Sequence, residues 1–372
     1  MNRHYDRPLA ITMWDFSWLE RRWPGAGYED WGLALDELVE RGYDSIRIDA
    51  YPHLVSHDPN RTWELAPAWN QTSWGAQSRT WVTVMPDLIE FIAAAHTRGL
   101  GIALSSWYRE DVDNVQMSIR TPHDQAQIWI DTLGHIERAG LLDAIIFVDL
   151  CNEFPGNPWS SYLYENPDTD PMLSRTEPAV RAWMNESIRE VRAAYPQLDY
   201  TYSFSREYDN WREQDVSQYD LLEPHVWMAH PETSDFQEKI GYHFERFDPV
   251  GFDNIVLNAE REYRENRATY DAALFAEIDQ MAEWSRASGL GLITTECWGL
   301  VDYKDWPGLD WGWIKDLTEL GLVRAAATGR WIGMATSNFC APQFVGMWRD
   351  VEWHQRLTTL IKNSPIDPDL RS

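Results

Sequence analysis

Cysteine, lysine and long apolar runs are what this sequence has least of. It has three cysteines, Cys151, Cys297 and Cys340. An odd, low number provides no disulfide framework and suits a reducing compartment. The first residues, Met1-Asn2-Arg3-His4-Tyr5-Asp6-Arg7-Pro8, are polar and lack the apolar stretch of a signal peptide. The expectation is a cytoplasmic protein, although a secreted mature form starting at an added Met would read the same way. No stretch reaches the ~18 uninterrupted apolar residues of a membrane span. Positive charge is also scarce, with 32 Lys and Arg against 59 Asp and Glu and a net charge of −27. Such a chain repels phosphate backbones and anionic membranes. Neutral partners are expected, with no nucleic acid and no membrane, and the oligomeric state is left open. The lysines, Lys239, Lys304, Lys315 and Lys362, all fall away from expected strand ends, which disfavours Schiff-base chemistry. Gly25-Ala26-Gly27 and Gly289-Leu290-Gly291 are fragments rather than dinucleotide or phosphate loops, so no cofactor is expected. His53 with His57, and His225 with His230, lack further ligands at a metal-site spacing, so no metal is expected either.

What is abundant is tryptophan, with 22 residues. Each offers a flat apolar face and one N–H donor, a combination that suits both core filling and stacking on sugar C–H faces. Core filling accounts for about half of them, and the remainder sit in polar loops.

The organising pattern is short apolar runs alternating with longer helical periodicities, the signature of parallel strands joined by crossover helices. Strands are expected at 9–14, 45–50, 101–105, 144–150, 199–204, 221–227, 291–295 and 331–335. Helices are expected near 31–41, 86–98, 122–139, 177–194, 270–288, 311–320 and 351–362, several followed by glycine. Eight such strands in residues 1–372 give a single-domain α/β fold, a (β/α)8 TIM barrel. Long segments follow strand two, at about 52–85, and strand six, at about 229–269, the second with short helical patterns of its own. Both lie on the C-terminal face, where barrel enzymes build their sites.

Two apolar strands run directly into glutamate at that face. One reads Val148-Asp149-Leu150-Cys151-Asn152-Glu153-Phe154-Pro155, the other Leu292-Ile293-Thr294-Thr295-Glu296-Cys297-Trp298. Two carboxyl groups about 5–5.5 Å apart are what retaining glycoside hydrolysis needs. Cys151 and Cys297, beside the two glutamates, read as buried thiols, since nothing supplies the base and oxyanion site of a thiol nucleophile.

With these motifs the chain resembles clan A glycoside hydrolases, the 4/7 superfamily, and especially cellulase-like members near family 5. The resemblance implies Glu153, after Asn152 at the end of strand four, as acid/base, and Glu296, ending strand seven, as nucleophile. It implies Asn152 as a partner of the sugar 2-hydroxyl. Gly42-Tyr43-Asp44-Ser45-Ile46-Arg47-Ile48 is similar to the family-5 strand-two pattern and places Arg47 beside Glu296. A cation there would hold the nucleophile's pKa low, and the neighbouring negative charge would raise Glu153. Arg47 could instead form a structural ion pair with Asp49 or with a neighbouring strand. His225 and Trp227 stand where the clan has a histidine and then, commonly, a tyrosine. The chain departs from family 5 in Phe154, which separates Glu153 from Pro155, in the absence of a histidine after strand three, and in Ser337-Asn338 where a strand-eight tryptophan is common. Trp14, Trp18, Trp107, Trp227 and Trp298 are candidates for sugar stacking, Trp63, Trp69 and Trp74 for a lid, and Asp49 and His53 for hydroxyl binding. The expected function is a retaining glycoside hydrolase of β-linked glycosides or oligosaccharides, exo-acting. The alternatives are a non-catalytic sugar-binding barrel and a transglycosidase using the same residues.

Overall fold

The computed structural model describes residues 6–68, 75–230, 234–243 and 248–370. Eight parallel strands form the barrel: β1 Leu9–Asp15, β2 Ser45–Asp49, β3 Gly101–Ser105, β4 Ile145–Asp149, β5 Tyr200–Thr201, β6 Leu221–Leu222, β7 Gly291–Thr294 and β8 Trp331–Met334. Their order is β5-β4-β3-β2-β1-β8-β7-β6. The remaining seam closes through a parallel bridge between Phe204 and Pro224 and backbone bonds from Asp220 to Tyr200 (3.0 Å) and from His225 to Phe204 (2.8 Å). Strands covered on both faces read as unbroken apolar runs, which is why they were visible in the sequence.

Helices cover the outside, with ends set by local chemistry. Asp30 caps Trp31–Glu40, Thr121 caps Pro122–Arg138 and Asp350 caps Val351–Asn363, each side chain accepting a backbone N–H of the first turn. The link from β5 to β6 carries only the 3-10 turn Trp211–Glu213 in place of a crossover helix. The floor of the barrel is filled by Ile11, Phe147, Ile293, Ile332 and their neighbours. The glycines that open β3 and β7 make room for this plug. A Cβ on Gly101 would lie 2.6 Å from Ile146, and one on Gly291 2.7 Å from Ile332.

Two expectations change and a third holds. The segment after β2 is not one loop. It contains the helix Pro52–His57 and an antiparallel hairpin, Trp63–Leu65 with Thr80–Val82. The segment after β6 carries the short helices its pattern suggests, Phe236–Ile240, Pro249–Asn254, a π-helical turn Ile255–Ala259 and Glu260–Glu265. Strand six breaks at Pro224, which has no N–H for a ladder bond. Its second piece, Val226–Trp227, pairs with Cys297–Trp298 beyond β7. That upper ladder lies under the helix Gly312–Ala327, where a Cβ on Gly321 would come within 2.8 Å of Trp298 Cβ. Gly321→Val should therefore lower stability by about 1–3 kcal/mol through overpacking. An unchanged urea midpoint would contradict this packing.

Candidate active site

Arg47 rises from the middle of β2 into the barrel mouth and is fully buried. Its Nη2 lies 2.5 Å from Asp149 Oδ2, 2.8 Å from Asn152 Oδ1, 3.0 Å from Ser105 Oγ and 3.2 Å from Ser203 Oγ. Its Nη1 lies 3.4 Å from Glu296 Oε1, and its Nε lies 3.3 Å from Glu223 Oε1. The ring of Trp107 covers the guanidinium at 4.7 Å. Burial works against the charge, but Glu223, Asp149 and Glu296 outweigh it and hold Arg47 above its ordinary pKa.

Above this base Glu153, His225 and Glu296 converge. His225 Nδ1 is 2.8 Å from Glu153 Oε1 and 3.7 Å from Glu296 Oε1, and one ligand atom from each of the three residues lies within 4.8 Å of the others. The same spacing could hold a cation. Trp159 donates its indole N–H to Glu153 Oε2 at 3.4 Å, and the Glu153 backbone N–H donates to Ser203 Oγ at 2.9 Å. Glu153 has φ 47°, in the left-handed region. So do Asp15 (41°), Tyr51 (48°), Tyr108 (40°) and Glu207 (61°), which follow or end the other strands from β1 to β5. Each such residue costs on the order of 1–3 kcal/mol, so strain is concentrated on this face.

The pKa shifts of the two glutamates run opposite to the sequence expectation. Burial raises Glu296 above its ordinary pKa, and the Glu153 charge adds to this, while His225 and then Arg47 pull against it. Glu153 is also pushed up by burial, but the His225 hydrogen bond and charge, with help from Ser205 and Trp159, bring it below the ordinary value. The reason is geometric. His225 Nδ1 is bonded to Glu153, while Arg47 is drawn closest to Asp149. His225 is itself raised, since Glu296 and Glu153 outweigh the effect of its burial.

The other sequence candidates divide. Asn152 joins the Arg47 cluster, and Trp107 roofs it. Trp227 is buried in the upper ladder. Trp14 is buried against Tyr28 and Phe91, and Trp298 is buried against Trp331 with its N–H on Ala335 O. Neither presents a face to the barrel mouth. Trp18 packs on Trp31 and Phe91, and Trp63 packs within the hairpin region on His57. Trp69 and Trp74 lie outside the described residues. Asp49 is engaged by the backbone N–H groups of Tyr51 (2.7 Å) and Trp107 (3.1 Å), and His53 by Arg109 O (3.0 Å), so both hold loops in place. Arg47 forms its ion pairs with Asp149, Glu223 and Glu296 from other strands, as one alternative had it, and not with Asp49.

Sequence reasoning missed Asp149, Glu223, Ser203, Trp159 and Lys304. The signal for the first two was a carboxyl group inside an otherwise apolar strand. Lys304, in the loop after β7, is buried against Phe339 and donates to Val301 O. Burial lowers its pKa, with Asp302, Glu296 and Asp15 opposing.

Glu223 is the group that balances the charge. Asp149 is subscribed by Arg47, Ser105 and both the N–H and hydroxyl of Ser203. Glu223 is fully buried with Thr295 Oγ1 on Oε1 at 2.6 Å, and its Oε2 has no hydrogen-bond partner among the described residues. Burial pushes it up to about 7, against the pull of Arg47. A raised folded pKa means its contribution to stability is complete below the ordinary value of 4.5 and is lost as pH rises through about 7. Glu223→Gln, which mimics the protonated form, should match the wild type in Tm near pH 4.5 and gain on it by pH 8. Parallel Tm–pH curves for the two proteins would contradict this.

Cavities lie on either side of Glu153. One of about 160 Å3, between the loops after β4 and β5, is lined by Glu153, Met172, Ser205 and Arg206. Another of about 520 Å3, between the loops after β3 and β4, is walled by Trp107 and Trp159. A third, about 660 Å3, lies on the outer helical flank around Trp211 and Arg324, away from the paired carboxyls. Among the described residues, no helix is long and apolar enough to cross a membrane.

Comparison with known proteins agrees with this architecture. A protein from Parabacteroides distasonis ATCC 8503 assigned as a glycoside hydrolase is 49% identical, with 98% of this chain and 96% of that one covered and a TM-score of 0.94. GH5_18 from Bifidobacterium longum subsp. longum aligns over 97% of this chain and 81% of its own at 12% identity and TM-score 0.56. Cel5A from Thermotoga maritima, in complex with mannotriose, aligns over 95% and 97% at 12% identity and TM-score 0.51. At those identities the last two establish the fold alone. No curated protein matches the sequence. The family model described as "Cellulase-like: Sugar-binding cellulase-like" matches residues 11–362, and the chain belongs to that family, on the clan A glycoside hydrolase barrel.

Proposed function

We propose that the protein is a retaining glycoside hydrolase of β-linked glycosides, with Glu296 as nucleophile and Glu153 as acid/base. The observation that carries this reading is the approach of the two carboxyl groups, with oxygens within 4.8 Å at the ends of β4 and β7. Retaining enzymes need about 5–5.5 Å, whereas inverting enzymes hold their carboxyls about 6.5–9.5 Å apart to admit a water.

Glu296 Oε attacks the anomeric carbon while Glu153 gives a proton to the departing oxygen. Glu153 then takes a proton from the water that displaces Glu296. Glu153 must first gain that proton, and the nearest source is His225 Nδ1 at 2.8 Å. Its transfer leaves a neutral imidazole and a protonated acid. Arg47 steadies the ionised Glu296, and Asn152, with its Oδ1 turned to Arg47, keeps its amide nitrogen for a sugar hydroxyl. Action from a chain end fits the separate recesses around Glu153.

A second reading is a sugar-binding barrel without turnover. The upward pull of burial on the Glu296 carboxyl and the downward pull of His225 on Glu153 favour it. Activity on a panel of aryl β-glycosides decides between them, since a pure binder gives ligand-induced melting shifts and no turnover. The hydrolase reading expects Glu153→Gln to lower kcat/KM on sugar leaving groups roughly 10²–10⁴-fold. It expects Glu296→Gln to lose several orders of magnitude on all substrates. The first product seen by NMR should keep the β-configuration. An α-anomer, or near-normal turnover in either variant, would overturn the assignment.

A further inference from the structure

Among the described residues, the two most exposed large apolar side chains are Leu257, 69% exposed, and Val250, 66% exposed. Both belong to one helical stretch in the segment after β6. It runs through Pro249–Asn254, the π turn Ile255–Ala259 and Glu260–Glu265, and Asn254, Ile255, Ala259 and Glu260 at the junctions keep right-handed helical backbone. Asp248 caps its start by accepting the Gly251 N–H at 2.7 Å. At 1.5 Å per residue the stretch is about 25 Å long.

One side of this helix is anchored. Phe252, Ile255, Ala259 and Tyr263 are buried, with Phe252 stacked on Trp306 at 4.9 Å and Tyr263 packed on Trp313 at 5.3 Å. The other side is a stripe of exposed residues, Val250, Asp253, Leu257, Arg261 and Arg264. A plain α-helix would carry a four-residue spacing around its axis. The wider π turn takes up that drift and keeps Asp253, Leu257 and Arg261 in line. Phe252 and Asp253 both engage Trp306, so the helix backs onto the loop that leaves β7 beyond Glu296.

The order of the stripe points to its partner. Its spacings read the same from either end, with Leu257 in the middle. A twofold axis at Leu257 sets two copies of the helix antiparallel. Leu257 then meets Leu257, Asp253 meets Arg261, and Val250 lies against the stem of Arg264. This is the self-complementarity that a twofold interface requires, and a partner of another kind would need no such symmetry. Neither Asp253 nor Arg261 has an ion pair among the described residues. Asp253 Oδ1 accepts the Trp306 N–H at 2.9 Å, and Arg261 Nη2 donates to Asn258 Oδ1 at 2.9 Å. Arg264 holds Glu260 at 2.7 Å within its own helix and offers its aliphatic stem. With one aspartate and two arginines the stripe is not acidic, in a chain whose net charge of −27 sets most surfaces against a second copy.

We propose that this stripe is the contact of a symmetric homodimer, in which two copies pack antiparallel through Leu257 and form crossed Asp253–Arg261 ion pairs. A face of about 25 by 10 Å is smaller than the about 800 Å2 per partner of a standard interface, so the dimer should exchange with monomer, with a Kd on the order of 1–100 µM. The proposal does not depend on the hydrolase reading.

The test is sedimentation velocity on the full chain over a concentration range that brackets this Kd. The unaltered protein should pass from monomer to dimer. Leu257→Asp should raise Kd about tenfold or more, since it places a charge at the centre of the contact. Asp253→Arg and Arg261→Asp should each weaken self-association about tenfold by setting like charges opposite one another. An equimolar mixture of those two variants should form a heterodimer in which both charge pairs are matched. All three side chains are exposed, so each variant should keep the wild-type Tm to within a few degrees. A monomer at every concentration, a dimer that survives Leu257→Asp, or a mixture of the charge variants that associates no better than either alone would overturn the proposal.

Discussion

One buried guanidinium holds the mouth of this barrel together. Arg47 has no contact with solvent and faces three carboxyl groups, Asp149, Glu223 and Glu296, from three other strands. A charge taken that far from water is tolerated only when it is paired and hydrogen-bonded, and removing one partner of such a cluster typically costs about 3–5 kcal/mol. The arrangement therefore fixes the register of β2, β4, β6 and β7 at their upper ends. It also leaves Glu296 at the edge of the cluster, close enough to be steadied and far enough to face a ligand. Arg47 is shared among three carboxyls, and Glu223, pushed up to about 7 by burial and with an unpartnered oxygen, is the group of the cluster best placed to hold a proton.

Around this base the structure spends conformational energy where chemistry is expected. Left-handed backbone at Asp15, Tyr51, Tyr108, Glu153 and Glu207 turns the chain sharply off five successive strands. These turns bring Glu153 and the walls of the neighbouring recesses over the barrel axis. His225 then links the two sides by reaching both Glu153 and Glu296 through a single nitrogen, so the state of one imidazole is coupled to both carboxyls.

The barrel was legible because parallel strands buried on both faces leave continuous apolar runs, and helix ends leave glycines and capping side chains. Glu153 and Glu296 were legible because a carboxyl that ends such a run has to point into the mouth. Asp149 and Glu223 were not, since a charge inside a strand acquires meaning only from Arg47 across the barrel. Trp14 and Trp298 looked like stacking residues at strand ends. Whether an indole faces the mouth or the helices depends on the local twist, and Trp298 turns outward against the space left by Gly321. The hairpin Trp63–Leu65 with Thr80–Val82 escaped because three-residue strands carry almost no periodicity. The directions of the two glutamate pKa shifts were not legible because they depend on which carboxyl His225 Nδ1 approaches more closely, 2.8 against 3.7 Å, a difference with no trace in sequence.

The central claim, that Glu296 forms a covalent bond to the sugar, is tested most directly by trapping. Incubation with a panel of 2-deoxy-2-fluoro-β-glycosyl fluorides slows release of the intermediate, and intact mass followed by peptide mapping locates any adduct. The account predicts a mass increase of one fluoroglycosyl unit on the peptide containing Glu296. An adduct on Glu153, or hydrolysis of the fluoride with no adduct on any carboxylate, would contradict it.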